Sequence, residues 1–195
     1  MDATLHWFQE NAEDFIARTS ELDMSASYER FLAHIAPGGK IMDLGCGAGS
    51  ASLYFMRHGY HAVPVDGCKE LCDAVTKRTG LPARNILFAQ LDYQDEFDGI
   101  WACASLLHVP KTEMAHILSL VKNALKRGGS FYASYKYGTE ERTRNGRFFS
   151  DYTMDAVKAL ITEAGGFEIM QIWLTADARP DRAGEHWVNV ICRKL

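Results

Sequence analysis

Lys40-Ile41-Met42-Asp43-Leu44-Gly45-Cys46-Gly47-Ala48-Gly49 is the stretch around which the chain is organised. Ile41 to Leu44 is a short apolar run with one acid near its end. Three glycines follow at every second position, and Ser50 to Arg57 carries a helical pattern. The order is strand, glycine-rich turn, helix. Glycine at such a turn admits φ > 0 and lets a ligand approach bare backbone. The N–H groups opening the next helix point at the same place. Three alternating glycines exceed what a turn requires for geometry alone. The acid at Asp43 is out of place beside a pyrophosphate and suits a ligand carrying an ammonium group.

Outward from this loop, the pattern alternates between helices and strands. Upstream, Leu5 to Thr19 reads as one helix with Trp7, Phe8, Phe15 and Ile16 as its apolar members. A polar break precedes a second helix at about Ala26 to Ile35, which Pro37-Gly38-Gly39 ends. Downstream, Tyr60 to Val65 reads as the second strand and stops at Asp66-Gly67, roughly 20 residues past the glycine loop, where a ribose-binding acid belongs in a mononucleotide-binding unit. Pro64 lacks the N–H that an interior strand uses, so either the ladder opens there or the strand is shorter. Cys68 to Thr79 is the second crossover helix and Asn85 to Gln90 the third strand. Phe97 to Ser105 is the fourth strand, Thr112 to Leu125 a helix and Ser130 to Tyr135 the fifth strand. Residues 136 to 152 read as a glycine-punctuated charged loop. Thr153 to Ala164 is the last helix, and Phe167 to Leu174 with Trp187 to Arg193 form an antiparallel edge hairpin.

The loop Asp43-x-Gly45-x-Gly47-x-Gly49 resembles, position by position, the first motif of class I S-adenosylmethionine (SAM)-dependent methyltransferases. The resemblance covers nearly the whole chain from Gly39 onward. Leu125-Lys126-Arg127-Gly128-Gly129 is similar to the family's entry to the fifth strand, with Arg127 where proline is usual. It implies an α/β fold: a Rossmann-like, doubly wound seven-stranded sheet, mostly parallel with an antiparallel last strand and helices on both faces. It further implies one domain overall, with residues 1–38 as a helical cap over the site and 39–195 as the methyltransferase core.

The same resemblance places the cofactor, SAM, on Asp43, Gly45, Cys46 and Gly47 of the loop and on Asp66 and Gly67 after the second strand. It puts Leu91 and Asp92 beside the adenine and small Ala104 at the end of the fourth strand. Tyr28 is either a contact to the methionine end of SAM or a core aromatic. His108 leaves the fourth strand where the methyl group belongs. It is a candidate general base or a structurally hydrogen-bonded loop residue. Tyr135, Lys136 and Arg147 are substrate-binding candidates, because an arginine there can clamp a carboxylate or phosphate. The bland reading of this charged loop is a solvated, self-paired surface. Asp177 and Arg179 are secondary candidates.

Composition narrows the acceptor. The 195 residues hold 47% hydrophobic side chains, enough for a large core, and carry a formal charge of −4. No basic field exists to collect nucleic acid non-specifically. Ala104-Ser105-Leu106-Leu107 stands where amino methyltransferases of bases or glutamine carry an Asn-Pro-Pro-Tyr-like sequence. A small-molecule acceptor is therefore expected. The rivals are an RNA-modifying enzyme that uses Lys136, Arg142, Arg144 and Arg147 as a phosphate patch, a non-catalytic SAM-binding module, and an NAD-dependent oxidoreductase of similar topology. Five cysteines (Cys46, Cys68, Cys72, Cys103, Cys192) form no framework and suggest free thiols. No metal site, signal peptide or membrane span is expected, and a cytoplasmic location follows from these features.

Overall fold

The computed structural model describes residues 2–179, 182 and 184–195. Among them the strands are β1 (Lys40–Leu44), β2 (His61–Asp66), β3 (Arg84–Asn85), β4 (Phe97–Ala102), β5 (Leu125–Lys136), β6 (Glu141–Arg144), β7 (Arg147–Ser150), β8 (Phe167–Ala176) and β9 (His186–Lys194). The helices are α1 (Asp2–Glu10), α2 (Ala12–Thr19), α3 (Ser25–Leu32), α4 (Ser50–Arg57), α5 (Lys69–Thr79), α6 (Lys111–Ala124) and α7 (Met154–Ala164). Seven strands form one sheet in the order β3-β2-β1-β4-β5-β9-β8. β3 through β5 pair in parallel, and β9 runs antiparallel to both β5 and β8. The winding reverses at β1, whose neighbours are β2 on one side and β4 on the other. A crevice at the carboxyl ends of these strands is where open α/β sheets bind ligands.

Strand alternation sorts the core onto the two faces. Met42, Leu44, Ile100, Ala102, Phe131, Ala133, Val188 and Val190 pack with Met114, Ile117, Leu118 and Val121 of α6 and with Val157 and Ile161 of α7. Their neighbours in sequence, Ile41, Trp101, Tyr132 and Ile191, face the other way, onto Tyr28 and Phe31 of α3 and Ala51 and Phe55 of α4. On that second face Trp101 stacks on Tyr132 at 3.7 Å and 7°. Gly99 lets α3 lie directly on the sheet, since a Cβ there would sit 2.3 Å from Ile35 Cδ1 and 2.8 Å from Phe31 Cζ.

Pro64 is accommodated by the alternation of backbone donors. His61 N–H donates to Gly39 O at 3.0 Å, so odd-numbered N–H groups of β2 face β1. The Pro64 nitrogen therefore faces the β3 side, where only Val65 and Asp66 are paired. Three acids at and before the start of β4 are tied down by lysines. Asp98 accepts the Lys40 N–H and pairs with Lys126, Glu96 pairs with Lys40, and Asp95 with Lys194.

Three segments differ from the sequence reading. The single N-terminal helix is two, broken at Asn11, whose φ of −119° leaves the helical region and whose side chain donates to Trp7 O. The third strand ends at Asn85, and Phe88–Gln90 forms a 3₁₀ turn. Leu87 and Phe88 both face one cavity, which two consecutive strand residues cannot do. The charged loop is a β-hairpin, with Asn145 and Gly146 both at positive φ between β6 and β7. That is the primed turn that joins tight hairpins.

Replacing Gly99 with valine forces Ile35 and Phe31 aside. The expected loss is about 1–3 kcal/mol of unfolding free energy, read from the urea midpoint. An unchanged midpoint would mean that α3 does not rest on β4 as described.

Candidate active site

The glycine turn is built by close approach. Gly45 has φ of +76°, and a Cβ on it would lie 2.3 Å from Ser105 Cβ. Only glycine satisfies both conditions. Ser105 in turn donates from Oγ to Leu44 O at 2.7 Å, which fastens the end of β4 to the end of β1. Ala104, beside it, holds φ of +51° and donates its N–H to Ser134 Oγ. A non-glycine residue in the left-handed region at a crevice is the kind of strain that accompanies functional sites.

Two acids stand on the wall next to the turn. Asp43 is buried beneath the first turn of α4, and its Oδ2 accepts from Ser52 N–H at 3.0 Å and Ser52 Oγ at 2.6 Å. Burial pushes its carboxyl up to about 7, against the lowering effect of these bonds. Asp66 ends β2 and accepts from Gly47 N–H at 3.0 Å and Cys68 N–H at 2.9 Å. Burial raises it too, with the backbone bonds opposing. Among the described residues neither acid has a lysine or arginine partner.

Both acids line a cavity of about 550 Å³, within the ~300–1,000 Å³ range of ligand pockets. α1 and α2 cover it with Leu5, Phe8 and Phe15. They are held to the hairpin by Thr4 Oγ1, which accepts the Phe148 N–H at 2.8 Å, and by Trp7, which carries the Arg147 guanidinium 4.0 Å above its ring. His108 lies on a 3₁₀ turn (Leu106–His108) between the rings of Phe8 and Phe149. Its Nδ1 donates to Phe148 O at 2.6 Å, which leaves the lone pair on Nε2. Desolvation lowers its pKa to about 4, helped by the Arg147 charge and opposed by the Phe148 carbonyl.

The far end of the cavity is basic. Lys136 is buried, paired with Glu185 and set over the Trp187 ring. Desolvation, with repulsion from Arg179, lowers it to about 8. Asp177 takes a two-point contact from Arg179 at 2.7 and 2.5 Å and a third from Trp187 Nε1. Burial alone would raise this carboxyl, but those bonds bring it down to about 2. Asn189 also lines this end. It accepts from Tyr132 and donates to Thr175.

Of the residues singled out from the sequence, Tyr28, Asp43, Gly45, Cys46, Gly47, Asp66, Gly67, Ala104, His108, Lys136 and Arg147 surround this one cavity. Tyr28 does so while packing against Tyr54, Phe55 and Trp101, so both of its readings hold geometrically. Three others do not line it. Leu91 is buried in the core under α6, and Asp92 is exposed. The early end of β3 puts Leu87 and Phe88 at the cavity instead. Tyr135 points to the α6–α7 face, because alternation along β5 gives the cavity side to Ser134 and Lys136. Asn189 was missed although it carried a signal: it is a polar residue inside the apolar run Trp187 to Cys192. Of the four basic residues read as a phosphate patch, Lys136 is buried on Glu185 and Arg142 pairs with Asp151. Among the described residues no His, Cys, Asp and Glu side chains cluster to hold a metal. Among the described residues no helix is long and apolar enough to cross a membrane.

Comparison with known proteins fits this geometry. Residues 42–133 match the family model of a methyltransferase domain. A sterol 24-C-methyltransferase, ERG6B of Gibberella zeae, is 28% identical over 122 residues, which are 54% of this chain. The match spans only 30% of that protein's length. The 1,6-didemethyltoxoflavin-N1-methyltransferase of Burkholderia thailandensis, solved with 1,6-didemethyltoxoflavin and S-adenosylhomocysteine bound, superposes with a TM-score of 0.82 and 21% identity. That alignment covers 100% of this chain and 88% of the other. A SAM-dependent methyltransferase from Methanosarcina mazei superposes at 0.74 and 19% identity, over 89% of this chain and 99% of its own.

The Asp43 shift has a consequence for stability. In the unfolded chain an aspartate titrates near about 3.9. Between that value and about 7 the folded protein holds a proton that the unfolded chain has released. This contribution to stability is therefore complete below about pH 4 and lost as pH rises through about 7. His108, lowered to about 4, acts in the opposite sense, losing its contribution as pH falls from about 6.5. Asp43→Asn keeps an acceptor for both Ser52 donors and isolates the first effect. Its stability relative to wild type should improve by on the order of 1 kcal/mol or more between pH 4.5 and 7.5 in urea unfolding. A difference independent of pH would show that Asp43 titrates as an ordinary carboxylate.

Proposed function

We propose that the chain is a class I SAM-dependent methyltransferase that transfers the SAM methyl group to a small-molecule acceptor inside the capped cavity, in keeping with the match of residues 42–133 to a methyltransferase domain. The observation that carries this reading is the pair of acids, Asp43 and Asp66, which face one cavity with no basic side chain among the described residues paired to either. Such a wall suits a ligand with a cationic amino group and a diol, and SAM offers both. Asp66 would accept from the ribose hydroxyls. Asp43 would face the amino group, with the turn from Gly45 to Gly47 close by. Leu87 and Phe88 offer apolar surface to the adenine.

SAM, the cofactor, supplies an electrophilic methyl group on a sulfonium. The protein's share is to hold both reactants in line and to exclude water, which can lower a barrier by several kcal/mol, roughly 7–11 at most. The cap supplies the exclusion through Phe8 and Phe15. His108 is neutral at physiological pH, and Nε2 is the atom that would take the acceptor's proton. A small acceptor is supported by the inward pairing of the basic residues at the far end and by the small ligand of the Burkholderia enzyme.

Two variants test the reading. Asp66→Ala should weaken SAM and S-adenosylhomocysteine binding by about 10-fold or more in calorimetry, with an unchanged circular dichroism spectrum, since two charge-assisted bonds are lost. Equal affinity would remove Asp66 from the cofactor site. His108→Ala should slow turnover by about 100-fold while S-adenosylhomocysteine affinity stays within about twofold. Wild-type turnover in that variant would leave His108 a structural residue only.

A further inference from the structure

We infer that Arg147 is the recognition point for an oxyanion on the methyl acceptor, so that the natural substrate is an organic acid with an apolar body. The inference rests on the reading of this cavity as the methyl-transfer site.

Among the described residues Arg147 has no acid paired with it, unlike three of the cations around it. Lys136 has Glu185, Arg142 has Asp151 and Arg179 has Asp177. Arg147 lines the cavity, yet among the described residues no carboxylate pairs with it, and its Nε is buried without a hydrogen-bond partner. The chain carries more acids than bases, so this is no shortage of carboxylates. A partly buried guanidinium with an unmet donor is costly unless something from outside completes it.

What it does have is a set of aromatic faces. Trp7 lies 4.0 Å under the guanidinium, and Phe149 and Phe8 flank it at 5.4 and 5.9 Å. Stacking fixes the guanidinium plane and leaves its in-plane N–H donors free for a two-point contact with an oxyanion. The charges that act on it most strongly, those of Arg182, Arg179, Arg144 and Arg18, share its sign. This end of the cavity therefore has a positive potential with apolar walls. Phe8 and Phe149 also hold the His108 ring. An acid anchored on Arg147 would thus lie next to His108, a base in the cavity wall that is neutral at physiological pH.

The test uses 2-naphthoate and its uncharged isostere 2-naphthamide as probes. Each is titrated calorimetrically into wild type and Arg147→Met, with and without saturating S-adenosylhomocysteine. Wild type should bind naphthoate at least 10-fold tighter than naphthamide. In Arg147→Met the naphthoate affinity should fall to the naphthamide level, with S-adenosylhomocysteine affinity unchanged, and Arg147→Lys should restore part of the preference. The wild-type comparison stands alone if the methionine variant does not fold. Equal affinity of the two probes, binding of neither, or a preference that survives in Arg147→Met would overturn the proposal. Failure of S-adenosylhomocysteine to bind wild type would instead strike the methyl-transfer reading, and the probe pair run without it still decides the anion site.

Discussion

The carboxyl of Asp43 sits under the first turn of α4 and accepts both the N–H and the hydroxyl of Ser52. Much of the site hangs on this contact. It satisfies one of the orphan donors of the helix start and fixes the helix to the strand that precedes it. With both ends of the Gly45–Gly49 turn held, the turn has to pass through left-handed conformations, and Ser105 can close on Gly45 from β4. The same acid lines the cavity wall, buried, with no counter-ion among the described residues. One side chain thus shapes the turn and lines the crevice.

Charge is sorted along the cavity. Asp43 and Asp66 stand at the end beside the glycine turn, and lysine and arginines at the end beneath the hairpin. A zwitterionic cofactor with a positive sulfonium and an acidic acceptor would each meet the opposite sign. Between the two ends the walls are mainly aromatic and small side chains. There the dielectric is low and both fields are felt more strongly than they would be in water.

The fold was largely legible because the hydrophobic pattern is clean. Period-two alternation in β1, β4, β5 and β9 divides residues between two helical layers, and the glycine turn locates the reversal of the sheet. The errors have local causes. Asn145-Gly146 is a hairpin signal, but the arginines around it suggested a solvated loop. Phe88 belongs to an apolar run that reads as strand, yet two consecutive residues there are needed on the same side. Tyr135 was misplaced by one position, which in a strand means the opposite face. Pairings such as Arg142 with Asp151 join residues of one segment, and Lys136 with Glu185 spans almost 50 positions. No spacing rule predicts such pairings.

The central claim is that the wall formed by Asp43, the glycine turn and Asp66 is a cofactor site. A crystal structure of the protein grown with S-adenosylhomocysteine tests it most directly. The account predicts the ribose hydroxyls on Asp66, the amino group on the Asp43 side of the Gly45–Gly47 turn and the adenine against Leu87 and Phe88. Density for the compound elsewhere, or a crevice that stays empty at saturating concentration, would contradict it.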